Sequence, residues 1–216
     1  MSTFTLIADD ERQLRGLSDR IYGVVVGLVT NNQDPDGVGR VKVRFPWLSD
    51  SDESQWARIA APMAGKDRGV YLLPEVDDEV LVAFEHGDIR RPYVVGALWN
   101  SKDTPPASND DGKNNIRIIK SRSGHVVKLN DEDGKETIEI IDKSTKNSIV
   151  VDTASNTITI TSDKDITLKA ANGTILLDAQ AVSIKSSADS KVEAGGGLDL
   201  KASGTMNIKG ATVNIN

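Results

Sequence analysis

Three short acidic clusters are the first candidates for chemistry in this 216-residue chain: Asp50 to Glu53, Asp77 to Glu79 and Asp131 to Asp133. Two carboxylates a few ångströms apart can divide acid and base roles in glycoside hydrolysis. Each cluster sits among turn-forming residues, however, where carboxylates cap backbone N–H groups and face water. The two histidines, His86 and His125, are remote from each other in the chain and have no acidic residue at a metal-binding or general-base spacing. With no cysteine there is no thiolate nucleophile, no thiolate-bound metal and no disulfide. No Gly-rich phosphate loop, G-x-S-x-G or H-E-x-x-H occurs. The residues therefore predict no enzyme, no cofactor and no metal of its own. The expectation is a protein that works by its shape.

Composition divides the chain. All nine aromatic residues lie at or before Trp99 and all seven prolines at or before Pro106, so residues 107–216 contain neither. A globular core normally takes its bulk from aromatic side chains, and two halves so different need different packing. Net charge is −6, and residues 21–99 carry twelve acidic against eight basic side chains. That balance disfavours a phosphate backbone, so no nucleic-acid partner is expected. No run of 18 apolar residues occurs, and the polar start (Asp9, Asp10, Glu11, Arg12) does not read as a signal peptide. The expectation is a chain made in the cytoplasm. Residues 1–20, with Leu14 and Leu17 three apart, are read as an N-terminal arm: a short helix, a segment that orders on a partner, or a frayed terminus.

The elements behind the acidic turns are short strands. Gly23–Val29 is an apolar, β-branched run, and Arg40 to Phe45 alternates strictly before Pro46. Trp56–Ile59, Gly69–Leu73, Glu79–Phe84 and Tyr93–Leu98 are further strand candidates, separated by Pro62, Gly65, Pro74, Gly87-Asp88 and Pro92. Five or six strands in about 80 residues without helical periodicity predict a small closed barrel over residues 21–106.

Ordered motifs run through that barrel: Asp34-Pro35, Gly39 to Val43, Phe45-Pro46-Trp47, Trp56-Ala57-Arg58, Pro62 to Gly65 and Pro74-Glu75. After them come Asp78 to Val82, Phe84, Gly87-Asp88, Arg91-Pro92, Val95-Gly96 and Asn100. The series resembles the OB-fold domain of contractile-tail spikes, the phage baseplate assembly protein V family and the matching domain of VgrG proteins. The resemblance covers roughly residues 20–106. Every one of these residues has a structural reading in a turn, a strand start or a barrel end.

Residues 107–151 are read as a polar linker and an irregular start to a shaft. They hold the alternating pairs Ile116/Ile118, Val127/Leu129, Ile138/Ile140 and Ile149/Val151, separated by turn residues. From 152 to 216 the alternation becomes a repeat. Its pairs are Ile158 and Ile160, Ile166 and Leu168, Ile175 and Leu177, Val182 and Ile184, a weak Val192 and Ala194, Leu198 and Leu200, Met206 and Ile208, and Val213 and Ile215. The mean spacing near eight residues is one short strand plus one turn. Leu176 stands outside the pattern. Two inward side chains per repeat make too thin a core for one chain, so a single-chain solenoid is the weaker reading. Three intertwined chains share that core and leave no lateral sheet edge. Eight rungs one strand spacing apart make a shaft of roughly 40 Å.

The resemblance implies the same architecture: an all-β chain, with an OB-fold barrel followed by an intertwined trimeric β-helix. It implies a homotrimer whose apolar pairs form the core, and a mechanical role as the central spike of a contractile tail or injection system. The barrel and N-terminal arm would dock to a separate baseplate hub protein. Some spikes of this class end in an iron-binding His-X-His tip, but this chain ends Val213-Asn214-Ile215-Asn216. Val213, Ile215 and Asn216 are therefore expected to seat a PAAR-type tip protein. Contact with a target membrane or envelope would be transient, and the protein would reside in a tail baseplate or injection particle. The competing expectations are an OB-fold module binding oligonucleotide or glycan, and a receptor-binding fibre tip. The acidic barrel argues against the first, and the lack of shaft aromatics against the second.

Overall fold

In a computed structural model, residues 20–215 are described, and among them every regular element is a strand apart from one 3-10 turn at Glu85–Gly87. The chain divides into two compact units, one ending at Asp163 and the other beginning at Lys164. The expected arm, residues 1–20, lies outside the described residues except for Arg20, as does Asn216.

The barrel is built from β1 (Val24–Asn31), β2 (Lys42–Arg44), β3 (Arg58–Ile59), β6 (Glu79–Phe84) and β7 (Pro92–Ala97), in the order β2-β1-β6-β7-β3. Reciprocal backbone bonds between Val41 and Ala57, at 3.0 and 2.7 Å, bring the β3 end back to the β2 end. All neighbours run antiparallel except β3 and β7, which are parallel. This is the five-stranded Greek-key barrel of the OB fold. Between β3 and β6 a two-stranded hairpin, β4 (Ala64–Gly65) and β5 (Arg68–Gly69), forms a sheet of its own. Gly69–Leu73, expected as a strand, instead leaves the hairpin as exposed chain down to Leu72.

The barrel core is Val29, Val41, Val43, Phe45, Ala57, Val80, Val82, Phe84 and Val94, with no polar or charged side chain buried in it. Valine dominates because a branched side chain fills a narrow barrel without many rotamers to lose. Gly27 is set by the same tightness. A Cβ there would lie 2.3 Å from Val43 Cγ1, so only glycine lets β1 pass β2 at this distance. The β6–β7 connection turns through His86 (φ 51°) and Gly87 (φ 78°), and the Arg20 backbone closes on Gly87 through the Ile21 N–H to Gly87 O bond of 2.9 Å.

A second sheet follows: β8 (Ile116–Lys120), β9 (Val126–Asn130), β10 (Thr137–Ile141), β11 (Ser148–Asp152) and β12 (Thr157–Thr161). It is a simple antiparallel meander in chain order. Sequence reading placed Ile158 and Ile160 at the start of the eight-residue repeat; they lie on β12, the last strand of this sheet. Arg122 in the β8–β9 turn donates to Glu75 at 2.9 Å, which ties the sheet to the barrel.

In the second unit, no strand pairs with another among the described residues, and every side chain is exposed. The backbone bends at 171–173, 179–180, 187–188, 195–196, 203–204 and 211–212. The first residues of those bends are eight apart throughout, a stricter period than the side-chain pattern suggested.

Candidate assembly surfaces

The residues that looked catalytic are held in turns and ion pairs. Glu53 accepts from Lys42 at 3.0 Å, Asp78 caps the Glu75 N–H at 2.8 Å, and Asp131 pairs with Arg117 at 2.6 Å. Glu132 meets Lys135 at 2.7 Å. The His125 Nδ1 accepts from the Lys143 N–H at 3.2 Å, and the His86 carbonyl accepts from Arg20 at 3.1 Å. Among the described residues no three His or carboxylate side chains gather closely enough to hold a metal ion.

Barrel motifs also resolve into structure. Asp34 accepts from the N–H groups of Asp36, Val38 and Arg40, and from the Arg40 guanidinium at Nε and Nη2. The guanidinium lies 5.8 Å from the Trp56 ring centroid and the Lys42 ammonium 5.6 Å from it, so the ring is held by two cations. Trp47, expected to close a barrel end, packs tilted on Phe45 at 6.2 Å between centroids and is half-exposed.

Beside these turns, the described residues carry extensive uncovered apolar surface. In the meander, register pairs Val127 with Ile140, Ile140 with Ile149, and Ile149 with Ile160; Leu129, Ile138, Val151 and Ile158 form a second row. Both rows share one face, and Val127, Leu129, Ile138, Ile140, Ile149, Ile158 and Ile160 are all exposed on it. Of these, Val127, Ile140, Ile149 and Ile160 line, with Ile119, a hollow of about 490 Å³. The opposite face carries the polar side chains: Lys128 bonds Glu139 at 2.9 Å, beside Asn130, Thr137 and Asp152, with Val126, Ile141 and Val150 half-buried among them. Burial works to raise the Glu139 pKa, and the Lys128 ammonium and Thr137 hydroxyl outweigh it, leaving it lowered. Ile116 and Ile118, whose alternation matched the other pairs in sequence, lie on this polar side opposite Asn130 and Lys128. It is Ile119 that joins the apolar face.

The second unit repeats the motif on a smaller scale. Leading members of its pairs (Ile166, Ile175, Val182, Leu198, Met206 and Val213) are 47–55% exposed. Trailing members (Leu168, Leu177, Ile184, Leu200, Ile208 and Ile215) are 63–86% exposed. Val192, at 75%, falls with the trailing members, and the residue two before it is Ser190. Lys191 and Glu193 pair with each other, which puts them together on the other side of the strand. Nothing in the structure explains Leu176, which is exposed between Ile175 and Leu177.

Residues 25–99, the barrel just described, match the family described as the type VI secretion system/phage-baseplate injector OB domain. The barrel is similar to that injector OB domain. Curated relatives extend the likeness: the type VI secretion system spike protein VgrG1a of Pseudomonas aeruginosa is 29% identical over 143 residues, 61% of this chain and 22% of the relative. The spike protein VgrG3 of Vibrio cholerae is 40% identical over 82 residues, 36% of this chain and 8% of the relative. The actin cross-linking toxin VgrG1 of Vibrio cholerae is 32% identical over 111 residues, 48% of this chain and 10% of that protein. The chain thus spans about a fifth or less of the length of these relatives. Over the injector OB domain it is VgrG-like, and the structure is all-β as that resemblance implied. Among the described residues no helix is long and apolar enough to cross a membrane.

Proposed function

We propose that three copies of this chain form a spike component of a contractile tail or injection apparatus, with no enzymatic activity. One observation carries the reading. The stretch from Ile119 to Ile215 displays row after row of exposed aliphatic side chains, on β8 to β12 and then on chain outside any strand, that a single chain does not cover. Monomeric soluble proteins rarely leave apolar patches of this extent in water. The rows need copies of themselves around an axis.

In the trimer the apolar face of the meander turns inward and meets the same face of two other copies. Its polar face, with the Lys128–Glu139 pair, stays in solvent. Beyond it, Ile166/Leu168, Ile175/Leu177, Val182/Ile184, Leu198/Leu200, Met206/Ile208 and Val213/Ile215 face the axis, and Ser190/Val192 take the rung that spacing alone had given to Val192/Ala194. Strand N–H and C=O groups without partners in one chain then pair between chains. The relatives' printed role as spike proteins supports a mechanical, envelope-piercing part for this chain too. A separate baseplate hub would receive the barrel and the N-terminal arm, and a PAAR-type protein would sit on Val213, Ile215 and Asn216.

Sedimentation velocity or native mass spectrometry tests the reading. The expected mass is three times 23.2 kDa. A stable one-chain species at micromolar concentration would sink it.

A further inference from the structure

Resting on the three-chain reading, we infer that the barrels themselves form a closed head-to-tail ring, in which the β4–β5 hairpin of one copy docks on the outer face of β1 and β6 of the next. Two unlike surfaces on one barrel point to this. The first is the hairpin. Residues 60–72 are exposed without interruption, and they include Met63, Val70, Tyr71 and Leu72. At the hairpin's base, Val38, Ile59, Met63, Tyr71 and Leu73 line an apolar hollow of about 560 Å³. A hairpin that makes its own two-stranded sheet and carries such side chains into water is built to be covered.

The second surface is legible in the strands. A sheet with one face in water alternates apolar and polar residues, as Lys42-Val43-Arg44 does in β2. β1 and β6 do not alternate: they read Val-Val-Val-Gly-Leu-Val and Glu-Val-Leu-Val-Ala-Phe from their first residues. Val80, Val82 and Phe84 fill the barrel, so Leu81 and Ala83 point away from it. Register sets Val26 against Leu81 and Val24 against Ala83, and with Tyr22 these make an outward apolar strip on which Tyr22, Val24 and Val26 are exposed. A continuous apolar strand is the mark of burial on both faces.

The occupant follows from symmetry, charge and position. A cyclic ring of three uses a heterologous contact, which needs two different complementary patches on each copy. The hairpin carries Lys66 and Arg68, which make no ion pair among the described residues, while the outer strip is flanked by Glu79, which accepts from Asn100 at 3.4 Å, and by Glu85, whose one ion pair among the described residues, with Arg91, is a long 3.5 Å. Glu75, three residues past Leu72, pairs with Arg122 at the end of the meander, so the hairpin's base adjoins the sheet whose apolar face is shared in the trimer.

The absence of cysteine makes the test clean. A Tyr71→Cys/Val24→Cys double variant, treated with a short bismaleimide, is expected to give covalent two- and three-chain species on denaturing gels, and each single variant to give neither. Leu72→Cys/Val26→Cys serves as a second pair should the first fail to fold. Protein that sediments as three chains yet gives no cross-linked species with either folded pair overturns the ring, and leaves a hub protein or the N-terminal arm as the cover of the strip. A one-chain mass for the unsubstituted protein is the separate failure of the three-chain reading, and overturns the ring with it.

Discussion

Arg40 grips Asp34 bidentately, Nη2 to Oδ1 at 2.6 Å and Nε to Oδ2 at 3.0 Å, while three backbone N–H groups of the same loop point at the same carboxylate. The Asp34 side chain is only 4% exposed. A single carboxylate thus orders the turn between β1 and β2 and presents the guanidinium to Trp56. Asp34→Asn keeps the shape but replaces one acceptor oxygen with a donor facing Arg40. The expected result is a lower Tm for the barrel and altered Trp fluorescence, without rescue by Arg40→Lys, which cannot make the fork. An unchanged melting curve would mean the pair merely decorates the loop.

Acid should weaken the first unit. The Arg40 guanidinium holds Asp34, and the Arg90 guanidinium Asp88, well below the usual carboxylate range. Ser144 and Asn147 lower Asp142 to about 2, and the Ser155 backbone lowers Asp152. Each folded pKa is depressed, so the unfolded chain binds more protons as pH drops. The stabilisation is complete above the ordinary value near 3.8 and is lost as pH falls from there through 2. Calorimetry between pH 5 and 2 should show Tm falling steeply below pH 4, and Asp34→Asn should flatten that limb.

Two kinds of barrel packing give opposite substitutions the same sign. Val82→Ala removes a fully buried side chain and should cost about 2 kcal/mol by chemical denaturation. Gly27→Val adds one where even a Cβ would lie 2.3 Å from Val43 Cγ1, so it should disrupt β1–β2 pairing outright. A soluble, cooperatively folding Gly27→Val variant would show that β1 can move away from β2.

The strands that the sequence made readable are those whose side chains alternate or whose ends carry a proline or glycine. Glu79–Phe84 is found where it was expected, because Val80, Val82 and Phe84 all face one core. The hairpin at Ala64–Gly69 escaped because four strand residues leave no period to read. The parallel β3–β7 contact also escaped, since two residues distant in sequence carry no mark of their pairing. On β8, Ile116, Ile118 and Ile119 are all apolar, and only the register with β9 decides that Ile119 joins the apolar face. Side-chain spacing in the last third blurred a backbone period of eight, because one rung leads with a serine and because Ile175 and Val213 each sit one residue off the common offset from their bends.

The apolar face of the meander allows a direct test of assembly. Ile140 stands between Val127 and Ile149 at the centre of that face. If three copies converge on this face, Ile140→Asp puts an unpaired charge into their shared core, which is not tolerated. The expected outcome is a shift from a three-chain to a one-chain mass with the barrel still folded by its own melting transition. Glu139→Gln, one residue away on the polar face, should leave the mass at three chains. If both variants remain trimeric, the face is not the interface.

The phase of the repeat at its serine-led rung can be read by a pair of neighbouring substitutions. If Ser190 and Val192 face the axis, Ser190→Val replaces three converging hydroxyls with aliphatic groups and should raise the resistance of the trimer to denaturant by about 1–2 kcal/mol per chain. Lys191, paired with Glu193 on the opposite side, offers no such gain, and Lys191→Val should leave dissociation unchanged while lowering solubility. Denaturant titrations followed by sedimentation would separate the two. The reverse result, with Lys191→Val stabilising and Ser190→Val neutral, would move the inward face by one residue and place Val192 on the outside of the rung.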